Sequence, residues 1–169
     1  MKKVIVFIFN VMILLWGNGQ AYYICQEAEK YFYGVEGREQ SYEKSFNLYE
    51  KAAKEGCVLA EYKLAGFYEL GLGVDSSYRM AFKWLKIAAK HGYPDAQYDL
   101  GFYYFFGWGC KEKPKKTFNL YLKAANNGSE SARKALQEWG MYKYNCGYNL
   151  PELYGEEGYD WYHYFMEEK

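Results

Sequence analysis

The sequence predicts an all-α fold: a right-handed α-solenoid of helix-turn-helix repeats, with about three 36-residue units and a C-terminal cap. Two observations lead to this prediction. The chain matches itself at an offset of 36 residues, and each matching unit carries two apolar stripes at helical spacing. The recurring columns are Ala60, Ala96 and Ala132; Leu64, Leu100 and Leu136; and Phe46, Phe82 and Phe118.

Each unit is predicted to contain two helices separated by glycine turns. In the second unit we expect the first helix over residues 60–70 and the second over residues 78–91. Gly71 and Gly73 follow the first helix, where glycine can adopt the positive φ of a helix end and a tight loop. Gly92 is expected to end the second helix. Because one helix pair cannot bury its apolar face, several pairs should stack.

Three runs of sequence carry a specific family resemblance. Residues 64–74 read Leu-Ala-x-x-Tyr-x-x-Gly-x-Gly-Val, residues 100–109 read Leu-Gly-x-x-Tyr-x-x-Gly-x-Gly, and residues 81–92 read Ala-x-x-Trp-Leu-x-x-Ala-Ala-x-x-Gly. These runs resemble the Sel1-like repeat, a relative of the tetratricopeptide repeat, and the resemblance covers about residues 24–140. It implies a scaffold for protein–protein contacts in which the first helix of each unit lines the concave face. The first unit matches less well, and residues 132–139 are expected to form a capping helix.

The N-terminal segment has the pattern of a secretory signal peptide. Two lysines precede an apolar run over residues 4–16, and Gly19 and Ala21 stand at −3 and −1 of a cleavage site before Tyr22. The predicted organisation is therefore a signal peptide over residues 1–21, a repeat region over 22–140 and an aromatic cap or tail over 141–169. We expect a secreted or periplasmic protein with no stable membrane insertion after cleavage, the alternative being an uncleaved anchor.

The C-terminal tail is rich in tyrosine, tryptophan and phenylalanine, which is atypical of a solvated disordered segment. It is interpreted as a cover for the last repeat, because the open end of a solenoid exposes core side chains. The alternative is that the tail is itself an interaction segment.

Charge and motifs argue against nucleic-acid binding and catalysis. Without Lys2 and Lys3, 19 basic residues face 21 acidic ones, which provides no broad positive field for nucleic acid. The two histidines, His91 and His163, have no nucleophile or ligand motif near them in sequence. We therefore predict no catalytic residue, no metal site and no cofactor, and the acidic tail residues are interpreted as a solvated face.

Four cysteines follow the leader: Cys25, Cys57, Cys110 and Cys146. Disulfides are allowed in an oxidising compartment, although sequence alone does not give the connectivity. The hypothesis is one pair of Cys25 with Cys57, which flank the first unit, and one pair of Cys110 with Cys146, which are 36 residues apart. The second pair requires local distortion, because equivalent helices lie about 8–10 Å apart.

A protein or peptide partner is expected in the concave groove. With the leucine and tyrosine columns assigned to the core, the residues beside them should face the groove; those selected are Tyr62, Glu69, Tyr98, Phe102, Phe105 and Phe106. Residues 102–106 contain more aromatic side chains than one buried stripe can use, so some must face outward or meet the tail. The alternatives are a carbohydrate- or cell-wall-binding module and a hydrolase of the kind claimed for some secreted Sel1-like proteins.

Overall fold

The computed structural model describes residues 19–138, and in this range it contains seven α-helices and no β-strand. Helix α1 covers residues 19–33. The others are α2 (Tyr42–Lys54), α3 (Val58–Leu70), α4 (Tyr78–Lys90), α5 (Pro94–Phe106), α6 (Pro114–Asn126) and α7 (Glu130–Glu138). The predicted all-α class and the 36-residue helix-turn-helix repeat are confirmed.

Glycines end the helices where the sequence places them. Gly71 and Gly107 adopt left-handed φ values of 68° and 70° directly after α3 and α5. Gly73, at φ 66°, lies so close to the start of α2 that a Cβ atom there would stand 2.6 Å from the Glu43 nitrogen. Helix α3 begins two residues before the predicted start, because Val58 and Leu59 continue the helix toward Cys57.

The described chain divides after Trp84, within α4, into two compact structural units, and each has its own core. From here on, "unit" means one of these two structural units, and "repeat" means one helix pair. In the first unit, α2 packs against α3, and α1 contributes Ala21, Ile24 and Ala28 to the same cluster. Phe67 is 2% exposed, and its ring contacts those of Phe32, Phe46 and Tyr49. Three rings of this unit therefore pack on one buried side chain.

In the second unit, α6 packs against both α5 and α7. Its core joins the α6 residues Tyr121, Ala124 and Ala125 to the α7 residues Ala132, Ala135 and Leu136. The capping helix expected over residues 132–139 thus appears as α7, which covers the apolar face of α6.

A small polar link recurs between the two helices of a repeat. The Ser45 hydroxyl donates to the Ala28 carbonyl at 2.8 Å, and the Thr117 hydroxyl donates to the Gly101 carbonyl at 2.9 Å. Ser45 and Thr117 are both fully buried and occupy the same repeat position, so their hydroxyls are satisfied without water.

The predicted tail over residues 141–169 and most of the predicted signal peptide lie outside the described residues. Residues 19–21 belong to α1, and Ala21 is buried in the first core.

Candidate functional site

The predicted binding residues lie on two first helices, α3 and α5. On α3, Tyr62 and Glu69 are half-buried. On α5, Tyr98 is half-buried and packs its ring 4.8 Å from that of Tyr121, and burial raises the pKa of both phenols. Tyr98 therefore contributes to the core of the second unit.

The remaining predicted residues come together with one further ring. We call Phe102, Phe105, Phe106 and Trp108 the aromatic surface. The Phe106 ring contacts Phe102 at 4.6 Å, Phe105 at 4.9 Å and Trp108 at 5.5 Å between centroids. Phe106 is 46% exposed, so the ring on which these contacts converge also faces solvent.

The repeat pattern does not predict Trp108 as part of this surface, because it stands at the variable position between Gly107 and Gly109. The left-handed Gly107 reverses the chain after α5, and the Trp108 N–H donates to the Tyr103 carbonyl at 3.0 Å. The indole lies edge-on to the buried Tyr103 ring at 5.5 Å and stacks on Phe106. The variable position of each glycine turn was the available signal, since it holds leucine in one repeat (Leu72) and tryptophan in the next.

A basic segment follows the aromatic surface along the chain. Residues 111–116 read Lys-Glu-Lys-Pro-Lys-Lys and form the end of the α5–α6 loop and the start of α6. The Lys113 N–H donates to the Tyr104 carbonyl at 2.8 Å, and the Lys116 ammonium lies 5.2 Å from the Tyr104 ring centroid. The Lys116 ammonium therefore lies against the last turns of α5, the helix that carries most of the aromatic surface.

Two of the cysteines interact directly. Cys25 lies in α1 and Cys57 immediately precedes α3, and both are buried in the first core. Their hydrogen-bonding interaction lowers the pKa of Cys57 and raises the pKa of Cys25, to which burial adds. The backbone N–H groups of Ala60 and Leu59 also lower the pKa of Cys57.

The other hypothesised pair cannot be compared in this way, because Cys146 lies outside the described residues. Cys110 is half-buried, its thiol donates to the Tyr103 carbonyl at 3.6 Å, and burial raises its pKa.

Among residues 19–138, His, Cys, Asp and Glu side chains form no group of three or more that could hold a metal ion. A search of the described helices found none long and apolar enough to cross a membrane.

Comparison with known proteins agrees with the repeat boundaries seen in the structure. The family model for the Sel1 repeat matches residues 21–57, 58–93 and 94–129. A Sel1 repeat protein from Oxalobacter formigenes is 32% identical with a TM-score of 0.66, and the match covers 77% of this chain and 98% of that one. A search of the curated proteins found no significant match.

A second solved structure is that of a protective antigen present in uropathogenic Escherichia coli strains, described as displaying an SLR fold. It is 28% identical with a TM-score of 0.67, and the match covers 87% of this chain. The chain spans 30% of the length of that antigen. These likenesses support the α-solenoid class.

Proposed function

The chain belongs to the Sel1 repeat family, whose members typically act as scaffolds for protein–protein interaction, and we propose that it binds an acidic segment of a partner protein outside the cytoplasm. The observation that supports this proposal is the aromatic surface, which the basic segment follows directly along the chain. The family resemblance implies that first helices line the concave face, and three of the four rings of the aromatic surface lie on the first helix α5.

The apolar part of the surface supports protein binding because exposed aromatic side chains commonly anchor interfaces. Tryptophan and tyrosine are enriched among the residues that dominate binding energy, and large rings supply contact area at low entropic cost. The rings of Phe102 and Trp108 pack on Phe106, which restrains all three before a partner arrives. A preformed surface loses less conformational freedom on binding.

The basic segment supports an acidic partner. Four lysines and one glutamate lie within residues 111–116, which favours carboxylate-bearing segments over basic ones. The matching loop of the preceding repeat, residues 75–80, reads Asp-Ser-Ser-Tyr-Arg-Met and carries no such excess. The proposed occupant is therefore a segment that presents apolar side chains together with Asp or Glu.

The proposed location rests on the leader. Cleavage before Tyr22 would leave Ile24, Cys25 and Ala28, the other α1 residues of the first core, in the mature chain. Mass spectrometry of the N-terminal peptide from an extracytoplasmic fraction tests this. A peptide that begins at Tyr22 supports export, whereas an intact Met1 terminus in the cytoplasmic fraction would contradict it.

The binding proposal is tested by affinity capture with the full chain against an extract of the source organism. We compare the wild type with Phe102→Ala/Phe106→Ala, with Lys111→Glu/Lys113→Glu and with Leu70→Ala as the matched control on α3. The proposal requires a protein that both double variants lose and the control retains, with capture that weakens as salt rises. Circular dichroism must show that each variant remains folded.

Two results would overturn this assignment. Equal capture by the wild type and both folded double variants would place binding elsewhere. Retention of the wild type on polysaccharide, lost in the Phe102→Ala/Phe106→Ala variant and unaffected by the lysine substitutions, would favour the carbohydrate-binding alternative instead.

A further inference from the structure

The thiols of Cys25 and Cys57 lie where α1 meets the start of α3. We call this contact between successive first helices the joint. Cys25 belongs to α1, the first helix of the first repeat, and Cys57 is the residue before α3, the first helix of the second. Their exposed fractions are 1% and 9%, and both side chains belong to one continuous core cluster. The two side chains interact with each other, and both interact with the Ala60 amide at the start of α3.

The later repeats show independently that this position is a joint. At an offset of 72 residues, Cys25 corresponds to Gln97 and Cys57 corresponds to Ser129. In the second unit the segment before α7 is tied to α5 by two hydrogen bonds: the Asn127 amide donates to Gln97 Oε1 at 2.9 Å, and the Ser129 hydroxyl donates to Asp95 Oδ1 at 3.0 Å. The same place in the repeat therefore brings together the two elements that the cysteines occupy in the first unit.

We propose that Cys25 and Cys57 form a disulfide that links α1 covalently to the start of α3. The two positions differ in geometry, because Cys57 is the N-cap residue of α3 and is 9% exposed, whereas Cys25 lies within α1 and is 1% exposed. A thiolate at a helix N-terminus is the usual form of a nucleophilic cysteine. Cys57 is thus the attacking sulfur, and Cys25 resolves the intermediate.

The oxidant is a disulfide, such as oxidised glutathione. The Cys57 thiolate attacks one sulfur of this disulfide, whose S–S bond breaks to release one thiolate and leave a mixed disulfide on Cys57. Cys25 then loses its proton and attacks the Cys57 sulfur, which expels the second thiolate. The protein has given up two electrons and two protons, and the oxidant has become two thiols.

The experiment uses the full chain, reduced and then exposed to oxidised glutathione either in its folded state or in guanidinium. Alkylation and peptide mapping by mass spectrometry follow. In the folded protein we expect a peptide pair joined through Cys25 and Cys57, with the mass loss of two hydrogens. In guanidinium the same cysteines should also join to Cys110 and Cys146, because the pairing is no longer directed by the fold.

Single substitutions test the assigned roles. Cys25→Ser should accumulate glutathione on Cys57, since no thiol is available to resolve it. Cys57→Ser should react with glutathione at least tenfold more slowly at Cys25 than Cys25→Ser reacts at Cys57. Cys110→Ser is the matched control and should form the Cys25–Cys57 link as the wild type does.

The wild-type map decides the proposal even where a variant fails to fold. If the folded wild type is oxidised and Cys25 and Cys57 are both recovered alkylated, or each is joined to another cysteine, the proposal is wrong. This result is separate from the binding test, because neither cysteine contributes to the aromatic surface or the basic segment.

Discussion

The two units build the same repeat but differ in what their side chains do. In the first unit Phe67, which contacts three other rings, is 2% exposed, whereas in the second unit Phe106, which also contacts three other rings, is 46% exposed. The first unit joins its first helices through two interacting thiols, and the second unit joins them through amide and hydroxyl hydrogen bonds. The comparison indicates that the recurring small and apolar residues maintain the repeat geometry. The variable positions can then differ between units, as the exposed rings and the thiol pair do.

The largest predicted effect on stability comes from substituting a cysteine at the joint of the first unit. Cys57→Ser should lower the free energy of unfolding of the oxidised protein by about 4 kcal/mol, because it opens the loop that the proposed disulfide closes. In the reduced protein the same substitution should cost about 1 kcal/mol. Guanidinium unfolding with and without reductant measures both values. Equal effects in the two conditions would show that no disulfide stabilises the wild type.

The second prediction concerns the packing of the buried tyrosines. Tyr49 and Tyr121 occupy the same repeat position, but Tyr121 lies over Gly101, where an added Cβ atom would stand 2.6 Å from the ring. Gly101→Ala should therefore destabilise the protein by about 2 kcal/mol. Gly66→Ala on α3 is the control: its Cβ atom would meet no atom within 4 Å, so stability should rise by about 0.5–1 kcal/mol. Thermal unfolding compares them, and a neutral Gly101→Ala would contradict the packing described.

The hydrogen-bonded joint of the second unit gives a smaller effect. Gln97 is fully buried, and its amide donates to the Ala89 carbonyl at 3.1 Å while its oxygen accepts from Asn127. Gln97→Ala should cost about 1–2 kcal/mol, because it removes two hydrogen bonds and leaves the Ala89 carbonyl without this donor. Urea unfolding with Gln137→Ala, an exposed residue of α7, as reference checks the value. A cost equal to that of the reference would show that the joint contributes nothing.

The residues of the two joints can also be exchanged, and this prediction is measured by disulfide formation instead of by stability. Gln97→Cys/Ser129→Cys places cysteines at the repeat positions of Cys25 and Cys57. If the joints are equivalent, mild oxidation should link residues 97 and 129, detected as a joined peptide pair. Gln97→Cys/Asn126→Cys is the control, because Asn126 is exposed on α6 and should not be linked efficiently. Equal yields from the two variants would refute the equivalence.

Much of the fold could be predicted from the sequence because repetition multiplies a weak local signal. The leucine and alanine columns that recur every 36 residues are the buried ones, and Leu64, Ala96 and Leu136 lie in the cores. Gly71 and Gly107 were predictable as helix ends, since a left-handed residue after a helix strongly favours glycine.

The site was harder to predict, because a recurring position in the sequence does not determine which side chains it packs against. Tyr98 and Phe102 lie four residues apart on α5, but Tyr98 packs on Tyr121 in the core, whereas Phe102 packs on Phe106 at the surface. Trp108 belongs to the aromatic surface because of the turn after α5, whose direction depends on the positive φ values of Gly107 and Gly109. The proximity of Cys25 to Cys57 was a hypothesis from their flanking positions, and their direct interaction required the packing of α1 against α3.

Whether the second unit supplies the binding surface can be tested by site-specific photo-crosslinking from the full chain. A benzophenone amino acid replaces Phe106 in one protein and Leu70, its counterpart in the first unit and 69% exposed, in another. After irradiation in the native extract, we expect a partner joined at position 106 through an Asp- or Glu-rich peptide, with little or no product at position 70. Equal crosslinking at the two positions, or a partner joined at position 70 alone, would contradict it.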